Sequence, residues 1–425
     1  FLTQLELEKI PLIDKGGLGI VGNDNFLLES LSTKKGQSYI DDYVGWTINS
    51  SKCIGLKVIN AGGSEIFKNN EESESFALDD IVPAYGVSSR QILESLNIAN
   101  ENLKIPHPIH VHCNNLGIAG NVESILNTIE AAQGRRMHLA HIQFYGYDNK
   151  SKKGFSSGAE KLASSVNKNK NITVDIGQIM FKPTVTISSD IWKQDKSKSH
   201  ANPNKWIISE VEDGGGGVIP YEYKEKNFVN ALQWAIGLEL FLLIKDPWRV
   251  FLTTDHPNGA PFTSYPKLIR LLMDLDYRYS ELNKINSFAQ EISNLRFIKR
   301  TYSLYEIAIM TRAAPAKILG LKNKGSLKPG SIADISVYNP KKTIDEMFSY
   351  ADLVFKDGVN VIKKGRVINL INGSTQTVKL EYDKNIHKDI QNWFDRFYSL
   401  SIDTFEIDEN YFQNNNFQYI DRLKS

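Results

Sequence analysis

His110 and His112 stand two residues apart in PIHVHCNNLG, residues 108–117, a short apolar run that gives way to Cys113, Asn114, Asn115 and a glycine. On a strand, residues two apart share a face, so both imidazoles would look into one site, with His107 just before them. Such a set reads either as metal ligands or as a polar patch on a sheet, and the spacing alone leaves both open. Three other runs carry ionisable residues in comparable places: Lys57 in GLKVIN, His138 and His141 in MHLAHIQF, and Asp255 in VFLTTDHPNG.

The elements that must position these groups alternate along the chain. GLKVIN (55–60), PIHVHCNN (108–115), MHLAHIQF (137–144), ITVDIGQIMF (172–181) and VFLTTDHPNGAPF (250–262) read as strands. VESILNTIEAA, SGAEKLASSVNK and ALQWAIGLELFLLI read as helices between them. Strand, loop and helix in repetition is the pattern of an α/β protein with parallel strands, and a (β/α)8 barrel keeps its chemistry at the C-terminal ends of those strands. A shared barrel mouth would therefore unite Lys57, the two histidine pairs and Asp255 across most of the chain.

Composition bounds the rest. A chain of 425 residues with 41% hydrophobic and 23% charged residues has the make-up of a globular protein with a sizeable core. A net charge of +1 gives no basic stripe for nucleic acid or an anionic membrane surface. The two cysteines, Cys53 and Cys113, are too few for a disulfide framework, so a reducing cytoplasm is expected. The apolar stretch Ala231–Ile244 falls short of the roughly 20 residues of a bilayer span, and FLTQLELEKI lacks the basic region of a signal peptide. The run Gly214–Gly217 is not followed by G-K-[ST] and reads as a loop rather than a phosphate cradle.

The order lysine, histidine, histidine, aspartate on successive strand ends resembles the amidohydrolase superfamily. GLKVINAGG, IHVHCNNLG, HLAHIQFYGY, VDIGQ, NALQWAIGLELFLL, DPWRVFLTTDHPNGAPFTSYP and YEIAIMTRAAPAKILGL are similar to the large subunit shared by formylmethanofuran dehydrogenase and the formyltransferase/hydrolase complex of methylotrophs. The likeness spans roughly residues 17–370, and its longer motifs are far more specific than a lone H-x-H.

The resemblance implies a metal-dependent (β/α)8 barrel over residues 1–322, a small β-sandwich portion over 323–377 and a C-terminal tail over 378–425. It further implies Zn2+, binuclear in the full-length protein, held by Lys57, His112, His141 and Asp255, with Lys57 carboxylated to bridge the ions. His112 is preferred to His110, and His141 to His138, because the superfamily ligands sit directly before the loops; His138 and His141, three apart, would face opposite sides of a strand. Asp255 would be the catalytic proton carrier. His110, Asn114, Asn115, Gln143 and Asn258 are expected to support ligands or bind substrate. Cys113 should point away from His112.

The implied reaction is hydrolysis of N-formylmethanofuran, or an analogue, to formate and the free amine, beside partner subunits of the complex. Condensation of formate with methanofuran in the dehydrogenase is the alternative, and a non-catalytic scaffold or a cyclic amidase are further ones. Each residue also has a plain reading: a salt-bridged Lys57, packed histidines, an Asp255 that caps the turn at Pro257, and asparagines that cap loops. The superfamily's first strand carries an H-x-H pair, yet no histidine precedes Lys57. The expectation is an N-terminally incomplete barrel whose first strand and H-x-H lie upstream. In the tail, Ile386, Ile390, Trp393 and Phe397 form an apolar helix face expected to dock a partner subunit.

Overall fold

The computed structural model describes residues 2–63, 75–188, 217–412 and 416–424. Its centre is a six-stranded parallel sheet of β1 (Leu18–Val21), β2 (Gly55–Ile59), β3 (Ile109–His112), β4 (Met137–Leu139), β5 (Ile172–Asp175) and β8 (Val250–Phe251), in that spatial order. Helices α1 (Gln37–Ser51), α2 (Ser89–Asn102), α3 (Val122–Ala131), α4 (Ala159–Lys168), α5 (Phe228–Leu243) and α6 (Tyr265–Met273) return the chain between or after these strands. Strands that neighbour in sequence neighbour in space, the winding of an α/β barrel. Between β5 and α5 an antiparallel ribbon rises, β6 (Lys182–Ser188) with β7 (Gly217–Tyr223). Gly217 opens β7, while the rest of the glycine run lies outside the described residues.

Alternation decides which side chains face inward. Along β3, Ile109 and Val111 are buried against the surrounding helices while His110 and His112 take the other face. Register then sets Lys57 beside His110 and His110 beside His138. The sheet stays open among the described residues, with β1 and β8 as edges. Ile20 on β1 shares the face of Lys57, its register partner, and remains 63% exposed.

Local signals explain the helices. Ser88 and Gln91 close a capping box at the start of α2. Helix α5 is buried almost throughout, and its Glu239 accepts from Ser157, Ser293 and the backbone N–H groups of Asn294 and Leu295. Burial alone raises the Glu239 pKa, and these four donors offset part of that rise.

Toward the C-terminus the structure departs from expectation at the boundary near residue 377 and in the tail. Residues 323–377 hold one antiparallel sheet, β9 (Ile335–Val337), β10 (Leu353–Lys356), β11 (Val359–Lys363) and β12 (Arg366–Val367), and its helix α7 (Ile344–Phe348) packs on α6. Among the described residues this portion is a single layer against a helix. Strand β13 (Thr375–Val378) crosses the expected boundary and pairs with β14 (Phe417–Ile420) and, by a bridge, with Lys15. The tail helix α8 (Ile386–Phe397) turns its face back on the chain: Ile386, Ile390 and Phe394 are buried, and Trp393 meets Phe26 edge-on at 5.7 Å. Only Phe397 of the expected docking face stays exposed. The face repeats at helical spacing either way, so the sequence could not say what covers it.

Candidate active site

The loops beyond β3, β4, β5 and β8 carry the candidate chemistry. Strand β3 ends at His112, and its Nδ1 lies 2.7 Å from Nε2 of His141, the two rings meeting edge to face at 4.2 Å between centroids. His141 is beyond the end of β4, at φ 34° and ψ 54°, where it starts a short 3-10 turn. That left-handed step corrects the expectation of opposite faces. The strand rule ends at Leu139, so His138 points into the sheet's concave face and His141 swings back over the same site; both are 5% exposed.

Asp175, the last residue of β5, ties the two together. Its Oδ2 lies 3.2 Å from His138 Nε2, and its Oδ1 accepts from the His141 backbone N–H at 3.0 Å and from the Thr253 hydroxyl at 2.6 Å. Thr253 Oγ1 in turn accepts from Gly177 N–H at 2.8 Å. At Gly177, φ +67°, a Cβ would collide with His141 Cβ and stand 3.4 Å from Asp255 Cβ. Only glycine permits the loops carrying His141 and Asp255 to pass this close.

Asp255 adopts φ 47° after β8, and its Oδ2 accepts from Asn258 Nδ2 at 2.9 Å. Tyr223 of the ribbon donates to the Asn258 carbonyl at 3.1 Å. Lys57 is half-buried on β2, and no hydrogen bond or ion pair holds its Nζ among the described residues. Its pKa is lowered by burial, against the pull of Asp255 and Asp175. Burial, with neighbouring histidines and Lys57, also pushes His110 and His112 well below the ordinary imidazole value, and takes His107 to about 3. These rings are neutral at pH 7, so each keeps a lone pair for a ligand.

The carboxyl of Asp175 shows the opposite balance: burial would raise its pKa, yet the His138 ring, His141 and the Thr253 hydroxyl bring it below the usual value. No three His, Cys, Asp or Glu side chains cluster tightly enough to hold an ion by themselves among the described residues. Two imidazoles turned on one another, a carboxylate and an amine whose pKa burial lowers nonetheless form a donor set suited to zinc, provided Lys57 contributes oxygen rather than nitrogen. The buried Nδ1 atoms of His110 and His141 lack partners among the described residues.

The flanking amides divide. Gln143 is fully buried, with its amide on the Gly177 carbonyl and the Ile179 N–H. Asn115 clips both the N–H and the carbonyl of Phe76 and donates to Ser124. Both stitch loops together and are removed from the substrate-facing set. Asn114 donates to Ser89 at 3.2 Å, and Asn258 orients Asp255. Cys113 is buried. Sequence reasoning misses Asp175 and Thr253, although an aspartate closing the apolar run ITVD stands at the strand-end position that singles out the others.

A concave sheet face with imidazoles, a lysine and a carboxylate at its C-terminal rim defines a hydrolase of the amidohydrolase type. Residues 5–368 match the model of the amidohydrolase family, and the chain belongs to that family. It is 44% identical over 418 residues, 97% of this chain and 76% of the relative, to the A subunit of the formyltransferase/hydrolase complex Fhc of Methylorubrum extorquens. It is 37% identical over 434 residues, 96% of this chain and 76% of the relative, to "Protein FwdA" of Methanocaldococcus jannaschii. The crystal structure of the formyltransferase/hydrolase complex (FhcABCD) from Methylorubrum extorquens with methylofuran contains a chain that superposes at a TM-score of 0.92 and 43% identity, covering 98% of this chain and 77% of that one. No helix among the described residues is long and apolar enough to cross a membrane.

Proposed function

We propose that this chain hydrolyses the formyl amide of a methanofuran-type cofactor to formate and the free amine, as the hydrolytic subunit of a formyltransferase/hydrolase complex in one-carbon metabolism. The supporting observation is the meeting of Lys57, His112, His141 and Asp255 at one rim in a chain 44% identical to the A subunit of such a complex. The expected compartment is the cytoplasm, and the expected partners are the other subunits.

His112 through Nδ1, His141 through Nε2 and Asp255 would hold Zn2+, and Lys57, carboxylated on its amine, would bridge to a second ion. Carboxylation requires an unprotonated amine, which the lowered pKa of Lys57 favours. Bound zinc would polarise the formyl carbonyl and bring the pKa of a water to about 7. Asp255 takes the proton from the attacking water and returns it to the departing nitrogen, a transfer an unactivated amide needs before its C–N bond breaks. Asn258 holds one oxygen of Asp255, which leaves the other for the proton. Edges β1 and β8 are where further strands would close the barrel, and a histidine pair on such a strand would complete the second ion's donors.

The test is formate release from a formylated methanofuran-type substrate by the purified complex, before and after chelation and zinc readdition. Formate lost on chelation and restored by zinc is the expected result. A zinc-loaded complex that releases none would overturn the reading, and absence of zinc above background would favour a non-catalytic scaffold.

A further inference from the structure

Resting on that reading of the site, we propose that Asp175 is a positioning residue that sets the ligand geometry of His141 by bracing the loops after β4 and β8. Leu139 is the last residue of β4 that pairs with β5, Ala140 N–H still donates to Val111 of β3 at 3.0 Å, and at His141 the strand partners end. The Asp175 carboxylate replaces that partner at His141, whose N–H it accepts at 3.0 Å. Non-glycine residues in the left-handed region cost roughly 1 kcal/mol or more and persist only where their surroundings over-determine them. Here the determinants are Asp175 on the N–H, Gly177 against the Cβ, and the ring of Tyr145 stacked at 5.7 Å.

The same carboxylate reaches two other elements. His138 on β4 meets its second oxygen, and Thr253, just beyond β8, shares the first while receiving Gly177 N–H. Three adjacent strand ends therefore close on one anion, 8% exposed. His138 serves as the far side of this brace: its Nδ1 lies 3.0 Å from the Thr173 hydroxyl, so both ring nitrogens are engaged and neither is free for an ion. This separates its role from that of His141, three residues on.

The experiment compares Asp175→Asn and Thr253→Val with the parent, each as the full chain in its complex, using competitive chelator titration and the visible spectrum of the cobalt-substituted protein. Near-UV circular dichroism and the unfolding midpoint monitor the fold. Asp175→Asn should keep the near-UV signature, weaken metal affinity by about 10- to 100-fold and shift the cobalt bands, as loss of a group supporting a ligand does. If that variant loses its near-UV signature, Thr253→Val decides, with a smaller weakening and a band shift in the same direction. Parent-like affinity and bands in the variant that decides would overturn the brace while leaving the hydrolytic reading intact. A parent complex that binds no metal would overturn both.

Discussion

Two groups of partly buried charge sit in this molecule, and they are built on opposite terms. Beneath the antiparallel sheet, Lys324 meets Asp14 at 2.8 Å and also Asp334, and Lys356 meets Asp14 at 3.3 Å and Asp357 at 2.5 Å. Every charge there has an opposite neighbour. At the rim of the parallel sheet, among the described residues, Lys57 has no ion pair, His110 and His141 each leave a buried nitrogen unpartnered, and imidazole rings crowd one another. Buried charge that serves architecture is paired within the chain, because an unpaired charge costs several kcal/mol. Groups left unsatisfied after folding mark a place that awaits something else.

The sharpest break of that contrast is Asp255→Asn. The rim should keep part of its metal, through His112 and His141, and lose turnover by about 10²- to 10⁴-fold, because an amide cannot carry the proton. Metal analysis beside formate release checks it, and near-parental turnover would remove Asp255 from the proton path. Lys57→Ala comes next: metal content should fall with activity, and acetate or bicarbonate should restore part of both by supplying the missing oxygen donor. Equal metal in variant and parent would contradict a bridging lysine.

On the paired side, Lys324→Met should cost about 2 kcal/mol in denaturant unfolding and leave metal content untouched, since Lys356 still answers Asp14. The acid limb tests the same pair. Burial opposes the charge of Asp14, but Lys324 and Ser374 hold its carboxyl from 3.8 down to about 2. A depressed folded value means that its contribution is present above 3.8 and is lost as pH falls through about 2. In Lys324→Met this loss should begin at higher pH.

The smallest effect belongs to the tail. Phe397→Ser should change stability by no more than about 0.5 kcal/mol, whereas Ile390→Ala should cost about 2–4 kcal/mol. A large loss at Phe397 would mean that its ring is covered in the isolated chain.

Much of this was legible in the residues themselves. The strands GLKVI, IHVH and ITVD were readable because apolar alternation survives between turn signals, and the repeat of strand and helix implied that sequence neighbours are sheet neighbours. Strand β1, LGIV, was not: four residues after two glycines carry too little pattern, and its inward Ile20 is indistinguishable from a core residue. His141 was expected at the strand end, where it lies, but not on the same site as His138, because a single left-handed residue resets the facing of everything after it. Asp175 was visible as a residue and invisible as a role, since its partners come from β4 and beyond β8, 34 and 78 positions away. The tail's apolar stripe was correctly located, but amphipathic spacing does not say whether the surface that covers it belongs to the same chain.

Zinc-edge anomalous diffraction from crystals of the complex containing the full chain addresses the central claim most directly. The expected result is a peak between Nδ1 of His112 and Nε2 of His141, with carboxylate density continuous from Nζ of Lys57. A peak elsewhere, or none beside a plain lysine, would contradict the metal-dependent hydrolytic centre.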